Sequence, residues 1–184
     1  FMGEIKQVDL SNVVNNKITY GKNDIVDEFS GLDGNYIDRD ILARIWESAV
    51  GKFFILNDGF YDNIECDGQT LQIDQYIKKL YFLGFFFWGK NTERIIVEFE
   101  DGVKEIISVT FEDWTVASSD DKSIFKEYSD GKYKTLFATT TKGNMIHIVN
   151  FHYTRCDLKH IAKVKNIVLP QNMFMHIFAI TIEN

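Results

Sequence analysis

Histidine titrates nearest to neutral pH and is the commonest metal ligand, so the four histidines at 147, 152, 160 and 176 are the first places to look for chemistry. No His-x-His and no His-Glu-x-x-His occurs, so the spacing that would set two imidazoles to grip a zinc ion is missing. His147 shares strand parity with Phe151 and with the expected core face, and His176 lies among apolar residues. A core histidine with satisfied hydrogen bonds is the expected reading of His176. The run His152-Tyr153-x-Arg155 stands at a strand end, where polar and aromatic groups can point into a loop-lined cleft. The competing reading of that run is ordinary surface polarity.

Other reactive patterns are absent. There is no Gly-x-Ser-x-Gly, no P-loop and no Rossmann glycine pattern. A glycosidase needs two carboxylates at a fixed separation, and nothing in the placement of the 27 acidic residues selects a pair. The segment Asn23 to Tyr36 is rich in Asp, Asn and Gly. Oxygen ligands and glycines in a short irregular loop are what a hard cation such as calcium requires, although the EF-hand pattern is not met. A solvated loop with Asp-Gly turns would look the same.

The elements that would position these groups read as β-strands. Apolar alternation bounded by turn signals recurs at 5–10, 16–20, 52–56, 69–73, 78–87, 93–99, 103–111, 133–141, 145–153, 161–169 and 174–183. At 93–111 the parity of the two strands requires an odd loop. Three residues, Glu100-Asp101-Gly102, with Gly102 left-handed, set Phe99 beside Val103. A second hairpin over 133–153 turns at Lys142-Gly143-Asn144. Leu80 to Trp88 is apolar on both faces, as expected of a central strand, with an aromatic ligand surface as the alternative.

The only proline, Pro170, precedes a last strand in which Phe174, His176, Phe178, Ile180 and Ile182 share one face; Met175, Ile177, Ala179, Thr181 and Glu183 share the other. One short helix is expected near residues 38–49, with Asp38 as N-cap and Trp46 packing from it. Ser118 to Ser123 reads as a mobile loop. The fold expected is all-β: one antiparallel two-sheet β-sandwich domain over residues 1–184.

Composition limits the partners. A net charge of −7, with no Lys/Arg stripe to offset it, argues against nucleic acid. The longest apolar run is nine residues, short of the ~20 needed to span a bilayer. Cys66 and Cys156 read as isolated thiols, or as one bridge if their strands abut. No signal peptide is legible. Met2 behind a single Phe reads as a native start, which would place the protein in the cytoplasm; if Met2 is internal, the location is open.

Several local patterns occur in the order seen in accessory β-sandwich domains of bacterial glycoside hydrolases. They are Phe29-Ser-Gly-Leu-Asp-Gly-Asn-Tyr36, Gly51-Lys-Phe-Phe54, Asp62-Asn63 with Gly68-Gln69-Thr70, Leu80-Tyr-Phe-Leu-Gly84, Val97-Glu-Phe-Glu-Asp-Gly102, Phe111-Glu-Asp-Trp114 and the Pro170–Glu183 ending. The chain thus resembles carbohydrate-binding modules of the galactose-binding-like, jelly-roll type. That resemblance implies a non-catalytic domain that contacts glycans or supports a catalytic neighbour. It also implies a structural calcium between an early Asp/Gly loop and a carboxylate near the last strand, at Asp33 and Glu183. Where the related domains continue Asn-Tyr with a proline, this chain has Ile37-Asp-Arg-Asp40.

A sugar site needs exposed aromatics for the CH face of the ring and polar groups for its hydroxyls. The candidates at expected strand ends are Tyr36, Trp88, Trp114, His152, Tyr153 and Arg155, of which Trp114 equally suits a core anchor. The alternative function is a structural sandwich that forms homo-oligomers. A third is an enzyme acting on glycans, which would need two convergent acids with perturbed pKa values.

Overall fold

The structure is a computed structural model that describes residues 4–20, 36–38, 61–114, 133–142 and 145–184. The expected strand 52–56, the helical residues 39–49, Asp33, Trp46 and the loop 118–123 lie outside them. The described strands are β1 (Ile5–Gln7), β2 (Thr19–Tyr20), β3 (Tyr36–Asp38), β4 (Ile64–Asp67), β5 (Thr70–Tyr76), β6 (Lys79–Phe86), β7 (Asn91–Phe99), β8 (Lys104–Phe111), β9 (Tyr133–Lys142), β10 (Met145–Asp157), β11 (Lys163–Val168) and β12 (Gln171–Glu183). They form an eight-stranded sheet in the order β1-β12-β6-β10-β9-β3-β2, with β4 also on β12, and a four-stranded sheet in the order β5-β11-β7-β8. The all-β sandwich is as expected. Asp38 ends a strand, paired in parallel with Tyr20, and no helix occurs among the described residues.

The smaller sheet follows its binary pattern. Leu71 and Ile73 of β5, Ile95, Val97 and Phe99 of β7, and Ile107, Val109 and Phe111 of β8 are buried, with more exposed neighbours between them. The β7–β8 turn is the three-residue loop that parity requires. Glu98 pairs with Lys104, Phe99 N–H donates to the Val103 carbonyl at 2.9 Å, and Gly102 has φ +87°. The outer edge of β8 is closed by side chains of β10: Thr154 Oγ1 donates to the Thr110 carbonyl at 2.7 Å and Cys156 Sγ to the Ser108 carbonyl at 3.6 Å. Cys156 and Cys66 are both buried and unbridged.

The larger sheet has β6 at its centre, between β12 and β10. Leu80, Phe82 and Phe86 enter the core between the sheets, while Phe85 joins Phe151 and Phe178 on the opposite face, at ring centroid distances of 5.0 to 5.5 Å. Two-sided burial makes Leu80–Phe86 the central strand. The alternation expected for the last strand does not run through. Ile177 pairs with Gly84 and Ala179 with Leu83, so Phe178 is an extra residue in β12. Such a bulge resets side-chain parity, and Ile180 and Ile182 therefore join Met175 and Ile177 in the inter-sheet core. Gly84 is required where the strands crowd, because a Cβ there would strike the His176 carbonyl oxygen and come within 2.8 Å of the Phe111 ring.

Two short strands, β3 and β4, were not legible as alternation. β4 adds to β12 through Glu65↔His176 and Ile64↔Ile177. Its approach is tied down by a buried polar chain. His176 Nδ1 lies 2.9 Å from Asn63 Oδ1, Asn63 Nδ2 donates to Asp62 at 2.8 Å, and Asp62 accepts from the Ile18 and Thr19 amides and the Thr19 hydroxyl. All four side chains of the chain His176, Asn63, Asp62 and Thr19 are buried. Burial pushes the Asp62 carboxyl above its ordinary range, against the hydrogen bonds that hold it down. His176 is the satisfied core histidine that its setting suggested.

Candidate functional site at the end of the central strand

β10 pairs with β6 only from Lys79 to Gly84. Past that point the segment after β8 takes its place beside β6. Phe86 N–H donates to the Glu112 carbonyl and Trp114 N–H to the Phe86 carbonyl, each at 3.0 Å, making a parallel bridge. The chain then leaves the sheet at Phe87-Trp88-Gly89-Lys90, with Gly89 at φ +72°. Its turn is fixed by a hydrogen bond from Gly89 N–H to the Asp113 carboxylate.

This geometry builds an aromatic corner. The Phe87 ring stacks on Trp114 at 5.9 Å and 7°, and Trp88 stands edge-on to Phe87 at 5.4 Å and 87°. Trp114 is 7% exposed and Trp88 70%. Trp114 is thus an anchor, Phe87 a spacer, and Trp88 the surface that solvent meets. Around it stand Lys90, paired with Glu112 at 2.7 Å, and Asp113. Phe87 N–H donates to the Phe174 carbonyl at 2.8 Å, which places exposed Phe174 and Met173 on the same corner. His152 pairs with Gly84 at the point of divergence and lies in the field of Lys90 and Asp113. It is buried, and desolvation, with Lys90 adding to it, pushes its pKa down to about 3. At neutral pH this imidazole is uncharged and no proton donor of the imidazolium kind. The end of the apolar run Leu80–Trp88 pointed to Trp88 as a strand end; Phe87, Asp113 and Lys90 were missed, because the bridge that joins them to Trp114 spans separate segments.

The other candidates lie elsewhere. Tyr153 is on the outer face of the larger sheet, stacked on Tyr81 at 5.9 Å and 6°. Arg155, beside them, contacts Asp157 at 3.3 Å. Seven residues of extended chain separate Tyr81 from Trp88, about 20 Å, so one small ligand cannot span both groups. Glu183 belongs to the Tyr81 group: its two oxygens accept from Lys79 at 2.6 Å and from the Tyr81 hydroxyl at 2.7 Å. These bonds hold its carboxyl below the usual range, while burial raises the Tyr81 phenol. Asp33, the other implied ligand, falls outside the described residues. Among the described residues no three His, Cys, Asp or Glu side chains gather to hold a metal ion. Tyr36, half-buried on β3, meets Tyr20 edge-on at 5.9 Å, at the far side of the sheet. Of the six ligand candidates, then, the fold gathers Trp88, Trp114 and His152 at one corner, Tyr153 and Arg155 at a second place, and leaves Tyr36 apart.

Among the described residues no helix is long and apolar enough to cross a membrane. No curated protein matches the chain. A family model described as an AziU2-like beta-sandwich domain matches residues 6–184. With nearly its whole length matched, the chain belongs to the AziU2-like β-sandwich domain family.

Proposed function

We propose that this domain is a non-catalytic glycan-recognition module whose contact surface is the Trp88 corner. The observation that carries this reading is a solvent-facing indole on a rigid aromatic stack, rimmed by Asp113, Glu112 and Lys90. An apolar plate beside polar groups matches a pyranose ring, with its CH face and its hydroxyls. The resemblance to carbohydrate-binding modules supports the same reading. Among the described residues the carboxyls raised by burial, Asp62 and Glu65, lie at or just before β4, away from this corner, and the reading assigns the corner to binding.

A glycan array tests the proposal. The wild type should bind at least one glycan, and Trp88→Ala should weaken that binding about tenfold or more while the melting temperature holds, a loss of about 1.4 kcal/mol. Binding that survives a chelator assigns recognition to the corner rather than to an ion at Asp33 and Glu183. Equal binding by wild type and Trp88→Ala would refute the assignment.

One observation favours a second reading. Trp88, Met173 and Phe174 are all exposed at one corner, and Trp, Phe and Met are enriched in protein interfaces. Self-association through this patch would appear as a dimer in sedimentation that Phe174→Ser dissolves, with no glycan bound.

A further inference from the structure

We infer that the end of the sandwich opposite Trp88, centred on Ile161, is a contact surface for a second copy of this chain, with the two copies related by a two-fold axis. This surface is separate from the Trp88 corner and independent of the glycan reading.

The strand order β5-β11-β7-β8 lays out this end. Lys163, the first residue of β11, pairs with Tyr76 at the end of β5, and its carbonyl accepts from Glu100 N–H, just past β7, at 2.9 Å. Ile161 precedes Lys163 by two residues, so it stands between the turn after β5 and the turn after β7. It is 94% exposed, and Tyr76 is 64% exposed. The connection that carries Ile161 is held on both sides. Leu158 N–H donates to the Lys78 carbonyl at 2.8 Å, and the Lys159 and His160 N–H groups donate to the Glu105 carboxylate at 3.0 and 3.1 Å. The His160 ring stands edge-on to Phe99 at 4.7 Å, with Nε2 2.7 Å from the Asp101 carboxylate. An apolar side chain on a fixed loop loses little conformational freedom when a partner covers it.

The charges beside Ile161 select the partner. On the β5 flank, Lys78 and Lys159 are exposed and make no ion pair among the described residues. They lie on either side of the bond from Leu158 to Lys78. On the β7 flank, Glu100 pairs with Lys163 at 2.8 Å, while Asp101 and Glu105 are met by an imidazole and by backbone N–H groups, with no lysine or arginine on either among the described residues. One flank is therefore positive, the other negative, and an apolar side chain lies between them. A two-fold axis beside Ile161 sets the lysine flank of each copy against the acid flank of the other and brings the two isoleucines together. Such self-complementarity is what a closed dimer requires of one surface. A partner of a single sign, an anionic bilayer for example, would be repelled by the β7 flank while Lys78 and Lys159 attracted it.

Sedimentation velocity of the full chain from about 5 to about 500 µM tests this, because self-contact follows mass action. The 21.4 kDa chain should shift towards a dimer as concentration rises. Ile161→Asp should weaken that association about tenfold or more while the melting temperature holds. Lys78→Glu and Glu100→Lys should each weaken it by setting like charges opposite one another. An equimolar mixture of these two variants should restore a dimer, since each then meets the opposite charge. A monomer at every concentration would overturn the proposal. So would a dimer that Phe174→Ser dissolves and Ile161→Asp spares, which would assign association to the Trp88 corner. Binding to phosphatidylcholine–phosphatidylserine vesicles that Ile161→Asp abolishes, with no dimer formed, would assign Ile161 to a lipid surface and overturn it as well.

Discussion

Along β5, β7 and β8 of the four-stranded sheet, buried and more exposed residues take turns, whereas β6 and the second half of β12 in the eight-stranded sheet are buried on both faces. The difference sets where a strand can present side chains to solvent. A strand packed on both sides has no face to offer, so β6 becomes available only where its second burial ends. That end is the step from buried Phe86 through half-buried Phe87 to exposed Trp88. The smaller sheet does offer a face, but its polar row is spent on internal pairs such as Lys104–Glu98 and Asn166–Glu98.

Truncation should show this contrast at its largest. Phe85→Ala, on the outer face of the larger sheet, should cost about 3–5 kcal/mol in urea unfolding. Ile106→Ala, 60% exposed on the smaller sheet, should change stability by less than ~0.5 kcal/mol. Similar losses at the two positions would show that the faces are not buried differently.

Crowding gives the next effect. Gly84→Ala should cost about 3 kcal/mol or more, because the His176 backbone cannot give way without breaking β12 pairing. Gly102→Ala, in the hairpin of the smaller sheet, meets nothing within 4 Å and pays only for its positive φ, about 1 kcal/mol.

Acid should reach the buried histidines of the larger sheet before it reaches the paired carboxylates. The His176 pKa is pushed down by burial from 6.5 to about 4. A base whose folded pKa is depressed contributes stability that is complete above its unfolded pKa and is lost as pH falls towards the folded value. The larger sheet should therefore weaken between pH 6.5 and 4 by about 3 kcal/mol from His176. In the smaller sheet, hydrogen bonds from Lys104 and His160 hold Glu98 and Asp101 below the ordinary carboxylate range. Their contribution is complete above the unfolded carboxylate pKa and fades only in stronger acid. Melting curves from pH 7 to 3 check this. His176→Gln should remove about 3 kcal/mol of the loss between 6.5 and 4 and leave the share that comes from His152, whose pKa is pushed down to about 3; an upper step of unaltered size would show that His176 does not titrate there.

What was legible follows the same division. In the β7–β8 hairpin the requirement that Phe99 and Ile107 both face inward fixes the loop length and demands a left-handed Gly102, all from neighbours in sequence. Two-sided burial of Leu80 to Phe86 was equally readable, since nine apolar residues have no polar face to expose. The parity of β12 was not. The extra residue Phe178 is set by the fit of β12 against Gly84 of β6, and no residue near 178 announces it.

For the candidate site, residue type alone marked Trp88, Trp114 and His152 as groups able to meet a sugar, because indole and imidazole have few other exposed uses at strand ends. Their division of labour was decided by long-range pairing. The bridge from Phe86 to Glu112–Trp114 sets one indole under Phe87 and leaves the other in water, and His152, paired with Gly84 where β10 and β6 part, is buried. Local alternation sets which side a residue faces; only the meeting of distant segments determines what stands on that side, since solvent is excluded by neighbours in space and not in sequence.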